Sequence, residues 1–206
     1  MLKEHGDRAQ QASETEQLLL AELAEHRSAF ESTAHMLSGP FAELLEVVER
    51  SVRHGGKLLL FGNGGSAADA QHMAAELIIR YKADRAPIAA LALTTDSSTL
   101  TACANDVGFD AVFERQIEGL GRKGDVAFGI STSGNSPNVL RGLDRARAMG
   151  LLTVGLTGGT GGKMAALCDA LIVVPSSVTA RVQEMHIMIG HVLCKSLERR
   201  LGLVGS

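Results

Sequence analysis

The chain is expected to fold as an α/β protein, a three-layer α/β/α sandwich built on a parallel sheet. Two observations predict this. After residue 56 five short apolar runs appear, at 58–61, 88–93, 126–130, 153–156 and 170–174, and helix-like stretches separate them at 67–80, 97–104 with 111–120, 137–149, 162–167 and 180–201. The runs are apolar at nearly every position rather than at alternate ones. Strands covered by helices on both faces carry that pattern.

The elements follow in order. Residues 1–14 are polar and read as a tail. Residues 16–37 are helix-like, with Leu19, Leu20, Leu23, Phe30 and Met36 near helical spacing. Ser38-Gly39-Pro40 is expected to break that helix, and Leu44, Leu45, Val48 and Val52 mark a second one that His54-Gly55-Gly56 ends. The organisation is thus a tail over 1–14 and a single domain over 15–206, divided into a helical arm (15–55) and an α/β core (56–206). The last helix is apolar nearly all round as far as Leu193, so it is expected to be buried between subunits or layers.

Composition narrows the function. The 206 residues carry 45% hydrophobic and 21% charged residues, ordinary for one globular domain. A net charge of −3 without a long basic run, and only 3% aromatics, speak against nucleic acid as partner. Cys103, Cys168 and Cys194 lie far apart in apolar surroundings and read as buried free thiols, not as a disulfide frame or a cysteine zinc site. No run reaches the roughly 20 apolar residues of a membrane span. The polar start lacks the apolar stretch of a signal peptide, so a cytoplasmic protein is expected.

Two loops carry the chemistry. Gly62-Asn63-Gly64-Gly65-Ser66 and Ser131-Thr132-Ser133-Gly134-Asn135-Ser136 each join an apolar run to a helix-like stretch. Such turns present free N–H groups at a positive helix end, and the second adds four hydroxyls that can wrap a small anion. Ligands on parallel α/β sheets bind at these strand ends. Helix capping by Ser136 before Pro137 explains part of the second loop but does not require four hydroxyls. The first loop formally matches a dinucleotide fingerprint, but the acid expected about 20 residues on is missing from its place. Residues 158–163 fail as a nucleotide loop, because Thr157 and Met164 stand where Gly and Ser or Thr belong. A phosphorylated small molecule is the expected ligand.

His72 and Glu76 are one turn apart on the helix after the first loop. The last helix holds Gln183, Glu184, His186 and His191 among apolar residues, and buried polar groups there need partners. A surface His–Glu pair and satisfied core histidines are the structural alternatives. His5, His26, His35 and His54 lie in the arm without chemical company.

The segments GNGGSAADAQHMAAEL, ALTTD with ANDVGFD, GDVAFGISTSGNSPNVL, LTGGTGGKMA and RVQEMHIMIGHVL resemble the sugar-isomerase (SIS) domain family over residues 15–200, and within it the phosphoheptose isomerases. The resemblance implies a five-stranded parallel sheet of flavodoxin-like topology, a helical arm, and a homotetramer with sites between subunits. It implies isomerisation of sedoheptulose 7-phosphate to D-glycero-D-manno-heptose 7-phosphate through an enediol. Substrate would be held by Asn63, Gly64, Gly65, Ser66, Glu76, Asn105, Asp106, Ser131, Thr132, Ser133, Ser136 and Gln183. Glu76 and His191 would be the base and acid, and His72, Glu76, Gln183 and His191 would hold a zinc ion in each subunit. Gln183 and His191 are eight residues apart, about 12 Å along a helix. Both reach one ion only if the side chains lean together or come from different chains. The sequence departs from the family's pattern at Ala180 and over Asp84-Arg85-Ala86-Pro87. A different class remains, a non-catalytic SIS tetramer that binds a replication-initiator protein; such a protein lacks the carboxylate that Glu76 supplies here. A phosphosugar-sensing regulator would need a DNA-binding module, for which no room is expected.

Overall fold

The computed structural model describes residues 2–205, with side-chain surroundings from residue 13 onward. The order is α1 (Leu2–Met36), α2 (Ser38–Arg53), β1 (Leu58–Gly62), α3 (Gly65–Ile78), β2 (Ala90–Ala92), α4 (Ser97–Asp106), α5 (Val112–Leu120), β3 (Val126–Ser131), α6 (Pro137–Ala148), β4 (Leu152–Gly158), β5 (Ala170–Val174) and α7 (Thr179–Arg200). All strand pairs are parallel and the sheet runs β2-β1-β3-β4-β5. Strand order therefore reverses between β1 and β3, and both loops identified above leave the carboxyl ends of those two strands. That is the crevice where open α/β sheets bind ligands.

The apolar runs are continuous because both faces of the sheet are covered. Leu58 and Leu60 point into a layer with Leu44 and Val48 of α2, Met73 and Leu77 of α3, and Val182, Met185, Ile189 and Leu193 of α7. Leu59 and Phe61 point the other way, to Val112, Phe113 and Ile117 of α5 and Val139 and Leu143 of α6. Every residue of β1 and β3 is buried.

Several boundaries differ from expectation. The expected break between the first two helices falls at Leu37, and Ser38-Gly39-Pro40 forms the first turn of α2. Pro is tolerated there because its missing N–H would have no helical partner. The second strand shrinks to three residues at the sheet edge, although Ile88 and Leu93 flanking it remain buried. Residues 162–166 form a 3₁₀ turn, not an α-helix. The backbone of α1 is helical from Leu2, and the polar tail expected over 1–14 falls mostly outside the residues whose surroundings are described. One side of α7 packs into the chain's own core while Val192 faces out. No described helix is long and apolar enough to cross a membrane.

Candidate active site

The first loop turns on Gly64, which caps α3 with φ +55° and ψ −121°, backbone that a side chain rarely adopts. Gly65 is needed for a different reason. A Cβ there would overlap the side-chain amide of Gln183, so α7 approaches α3 at its first turn. Together the loops and α7 enclose an open cleft of about 260 Å³, lined by Asn63, Gly64, Gly65, Ser66, Ser131, Thr132, Ser136 and Gln183, with Ile130 and Thr179 completing it.

Hydrogen bonds hold the loops in register. Asn63 and Asn138 exchange two side-chain amide bonds of 2.8 Å each, tying the first loop to the start of α6. Asn138 is 2% exposed. The Ser131 and Ser136 hydroxyls are 3.0 Å apart across the second loop. Ser136 makes no side-chain cap bond to α6, so its hydroxyl is not spent on capping. Asn135 Oδ1 accepts the Lys163 N–H, and Gly134 O accepts the Met164 N–H; the glycine-rich stretch after β4 thus braces the hydroxyl loop. Asn138 and Thr179 escaped the sequence reading. An Asn just inside a helix reads as surface, and only the fold reveals that it faces Asn63.

A second group lies farther along α3. His72 Nε2 and His191 Nε2 are 2.9 Å apart with rings nearly perpendicular, so one nitrogen donates and the other accepts. Glu76 Oε1 is 3.5 Å from His72 Nε2, and Glu76 Oε2 is buried without a hydrogen-bond partner. Tyr81 packs its ring 5.6 Å from that of His191. Asp69, one turn nearer the cleft, has a buried and unpartnered Oδ2, and burial pushes its pKa up to about 6 against a smaller opposing pull from His72.

His72, Glu76 and His191 thus come together, while Gln183 lies at the other end of α3 against Gly65. Ser133 is exposed and accepts the Asn135 N–H. Asn105 and Asp106 are exposed at the end of α4, bonded to each other at 2.7 Å, and line no part of the cleft. As placed, no three His, Cys, Asp or Glu side chains among the described residues form a metal cage. The donor set still fits zinc in kind, with two imidazole nitrogens and a carboxylate whose second oxygen is orphaned in the interior.

His186 serves the core. His186 Nε2 donates to the Thr157 carbonyl at 3.1 Å, and burial pushes its pKa down to about 4. Cys103 and Cys194 are buried, and burial raises Cys168 and Cys194 to about 12, which makes those two thiols inert.

The SIS domain family matches residues 21–158. Phosphoheptose isomerase of Paramagnetospirillum magneticum is 59% identical over 177 residues, covering 86% of this chain and 92% of that protein. The structure of phosphoheptose isomerase from Neisseria gonorrhoeae superposes with a TM-score of 0.85 at 43% identity, covering 90% of this chain and 99% of that one. That of a phosphoheptose isomerase from Francisella tularensis gives 0.87 at 32%, covering 90% and 98%. The chain belongs to the SIS-domain family and is an isomerase.

Proposed function

We propose that this isomerase interconverts sedoheptulose 7-phosphate and D-glycero-D-manno-heptose 7-phosphate in the cytoplasm. The observation that carries the reading is that one chain holds both an anion cleft at the β1/β3 crevice and, farther along α3, a carboxylate and an imidazole, Glu76 and His72, that meet the imidazole of His191 on α7. Relatives named phosphoheptose isomerase, one of them 59% identical over 177 residues, support the substrate class. The hydroxyls of Ser131, Thr132 and Ser136 and the N-termini of α3 and α6 suit a phosphate monoester without a lysine. Asn63, Gly64, Gly65, Ser66 and Gln183 would bound the sugar chain, and Asn105 and Asp106 would serve only from a neighbouring subunit.

Moving a proton between C1 and C2 needs a base for the carbon-bound proton and an acid for the oxygen. Glu76 takes the first role and His191 the second, exchanging them in the reverse direction. The orphaned Glu76 Oε2 suits a base with no competing donor. His72, through its bond to His191, orders which imidazole nitrogen carries the proton. His72, Glu76 and His191 would hold a zinc ion, with Gln183 joining only by leaving Gly65; when bound, it supplies Lewis-acid polarisation of the carbonyl.

The test is incubation of purified protein with sedoheptulose 7-phosphate, with and without a chelator, followed by NMR. Appearance of the aldose phosphate is expected, slowed by the chelator. No turnover of this sugar by the untreated protein would overturn the substrate assignment. The non-catalytic reading is not favoured, since Glu76 is present and sits beside His72, which in turn meets His191.

A further inference from the structure

A buried ion pair closes the end of α3 opposite the cleft. Arg85 lies between α3 and β2, and its side chain is 0% exposed. Its Nε donates to Glu198 Oε1 of α7 at 2.8 Å, where the glutamate is 3% exposed. Its Nη2 donates to the carbonyl oxygen of Glu76 at 2.8 Å, and its Nη1 to that of Leu77 at 2.6 Å. Both carbonyls belong to the last turn of α3, where no further helical N–H is available. A cation at this end also complements the helix dipole.

The same glutamate reaches the second imidazole. Glu198 Oε1 accepts the Tyr81 N–H at 3.1 Å, and the Tyr81 ring packs on His191. One buried pair therefore touches the backbone that carries Glu76 and the residue that backs His191. It is remote from the anion cleft, which lies at the first turn of α3.

We infer that Arg85 and Glu198 are positioning residues for proton transfer, fixing the spacing between Glu76 and His191. The inference rests on the reading of those two as base and acid. Only a planar guanidinium can address the two carbonyls and the carboxylate at once; a lysine ammonium lacks that fork. A displacement of about 1 Å in a reacting group is enough to cost up to about 100-fold in rate.

The experiment compares Arg85→Lys, Glu198→Gln and Glu76→Gln with the parent, as full chains on sedoheptulose 7-phosphate, with fold and assembly checked by circular dichroism and light scattering. Arg85→Lys and Glu198→Gln are expected to lower kcat by roughly 10- to 100-fold. KM should stay within about twofold, because the cleft is untouched. A merely structural pair would lower the melting temperature and leave kcat of the folded protein unchanged, and that result overturns the inference. If Glu76→Gln abolishes turnover while Arg85→Lys and Glu198→Gln keep it, only the positioning role fails. If Glu76→Gln remains active, the acid–base reading fails first. Should Arg85→Lys not fold, the isosteric Glu198→Gln decides alone; loss of folding in both makes the pair a stability element and ends the proposal.

Discussion

Single side chains make the sharpest claims. Glu76→Gln should keep the fold and lower turnover by about 10²–10⁴-fold, the usual cost of removing a general base; a variant with near-parental rate would refute the assignment. Ser131→Ala combined with Ser133→Ala should raise KM for the phosphosugar while barely changing the melting temperature. The Ser131 hydroxyl bonds only the Ser136 hydroxyl, and Ser133 lies in the open. A large stability loss with unchanged KM would show these hydroxyls to be structural. Two groups also set opposing pH dependences. His186 is held near pKa 4 in the fold against a usual 6.5, so between those values the unfolded chain takes up a proton that the folded chain refuses. Its contribution is complete above pH 6.5 and falls on acidification by up to about 3 kcal/mol. Asp69, raised to about 6 from 3.8, has the opposite sign: the folded chain holds its proton first, so acidification through that window adds stability. Asp69→Asn removes the compensation. Urea unfolding of this variant should fall more steeply than the parent between pH 6.5 and 4, and parallel slopes would show that Asp69 does not titrate as its burial implies.

At the scale of elements, the strand positions were legible because burial on both faces writes continuous apolar runs such as 58–61. The glycine and hydroxyl loops were legible for a similar local reason, since a strand-to-helix turn that must expose N–H groups needs Gly64 and small polar neighbours. Less of what ties elements together could be read. The clasp between Asn63 and Asn138 joins residues 75 apart, and neither sequence neighbourhood betrays the other. In the sequence Arg85 stands out only as part of a departure from the family's pattern; its burial follows once α7 brings Glu198 across it. The break before α2 sits at Leu37, just ahead of Gly39 and Pro40, because a helix's first turn tolerates both. The clasp is itself testable. Asn138→Leu leaves the half-buried amide of Asn63 without its partner and should cost about 1 kcal/mol of stability. It should also raise KM for the phosphosugar, because the two anion-binding loops lose their fixed spacing. Unchanged KM in a destabilised protein would mean that the loops hold their register without it.

The whole molecule presents a surface that a single chain leaves unfinished. Leu18, Leu19, Leu20, Leu23, Phe30 and Met36 of α1 are 45% to 63% exposed, with Leu19, Leu23 and Phe30 on one face, more apolar area than a monomer usually leaves in water. The arm is nevertheless anchored. Arg181 Nη1 donates to the Glu22 carbonyl at 2.7 Å, and Glu184 bridges Arg181 and His26 at 2.8 and 2.7 Å. It therefore holds its exposed apolar side chains in a set place beside α7, the helix that carries Gln183 and His191. Distances within the chain point the same way. Gly65 and Glu76 are about 16 Å apart along α3 at 1.5 Å per residue. A substrate's C2 and phosphorus are separated by seven bonds of about 1.5 Å, roughly 9 Å in zigzag. A phosphate in the cleft of one chain thus leaves C2 short of that chain's own Glu76, and the exposed Asn105–Asp106 pair has no place in the cleft. We propose on these grounds an assembly in which neighbouring chains complete each site, as the homotetramer implied by the family resemblance would allow. Leu19→Glu with Leu23→Glu should break the assembly while leaving the α/β core folded, since neither side chain belongs to that core. Turnover should fall in step with the fraction dissociated, and His191→Ala should abolish it without changing oligomer size. Light scattering run beside the assay decides the matter: a monomer that turns over at the parental rate would show that one chain suffices, and that the apolar arm serves some end other than the active site.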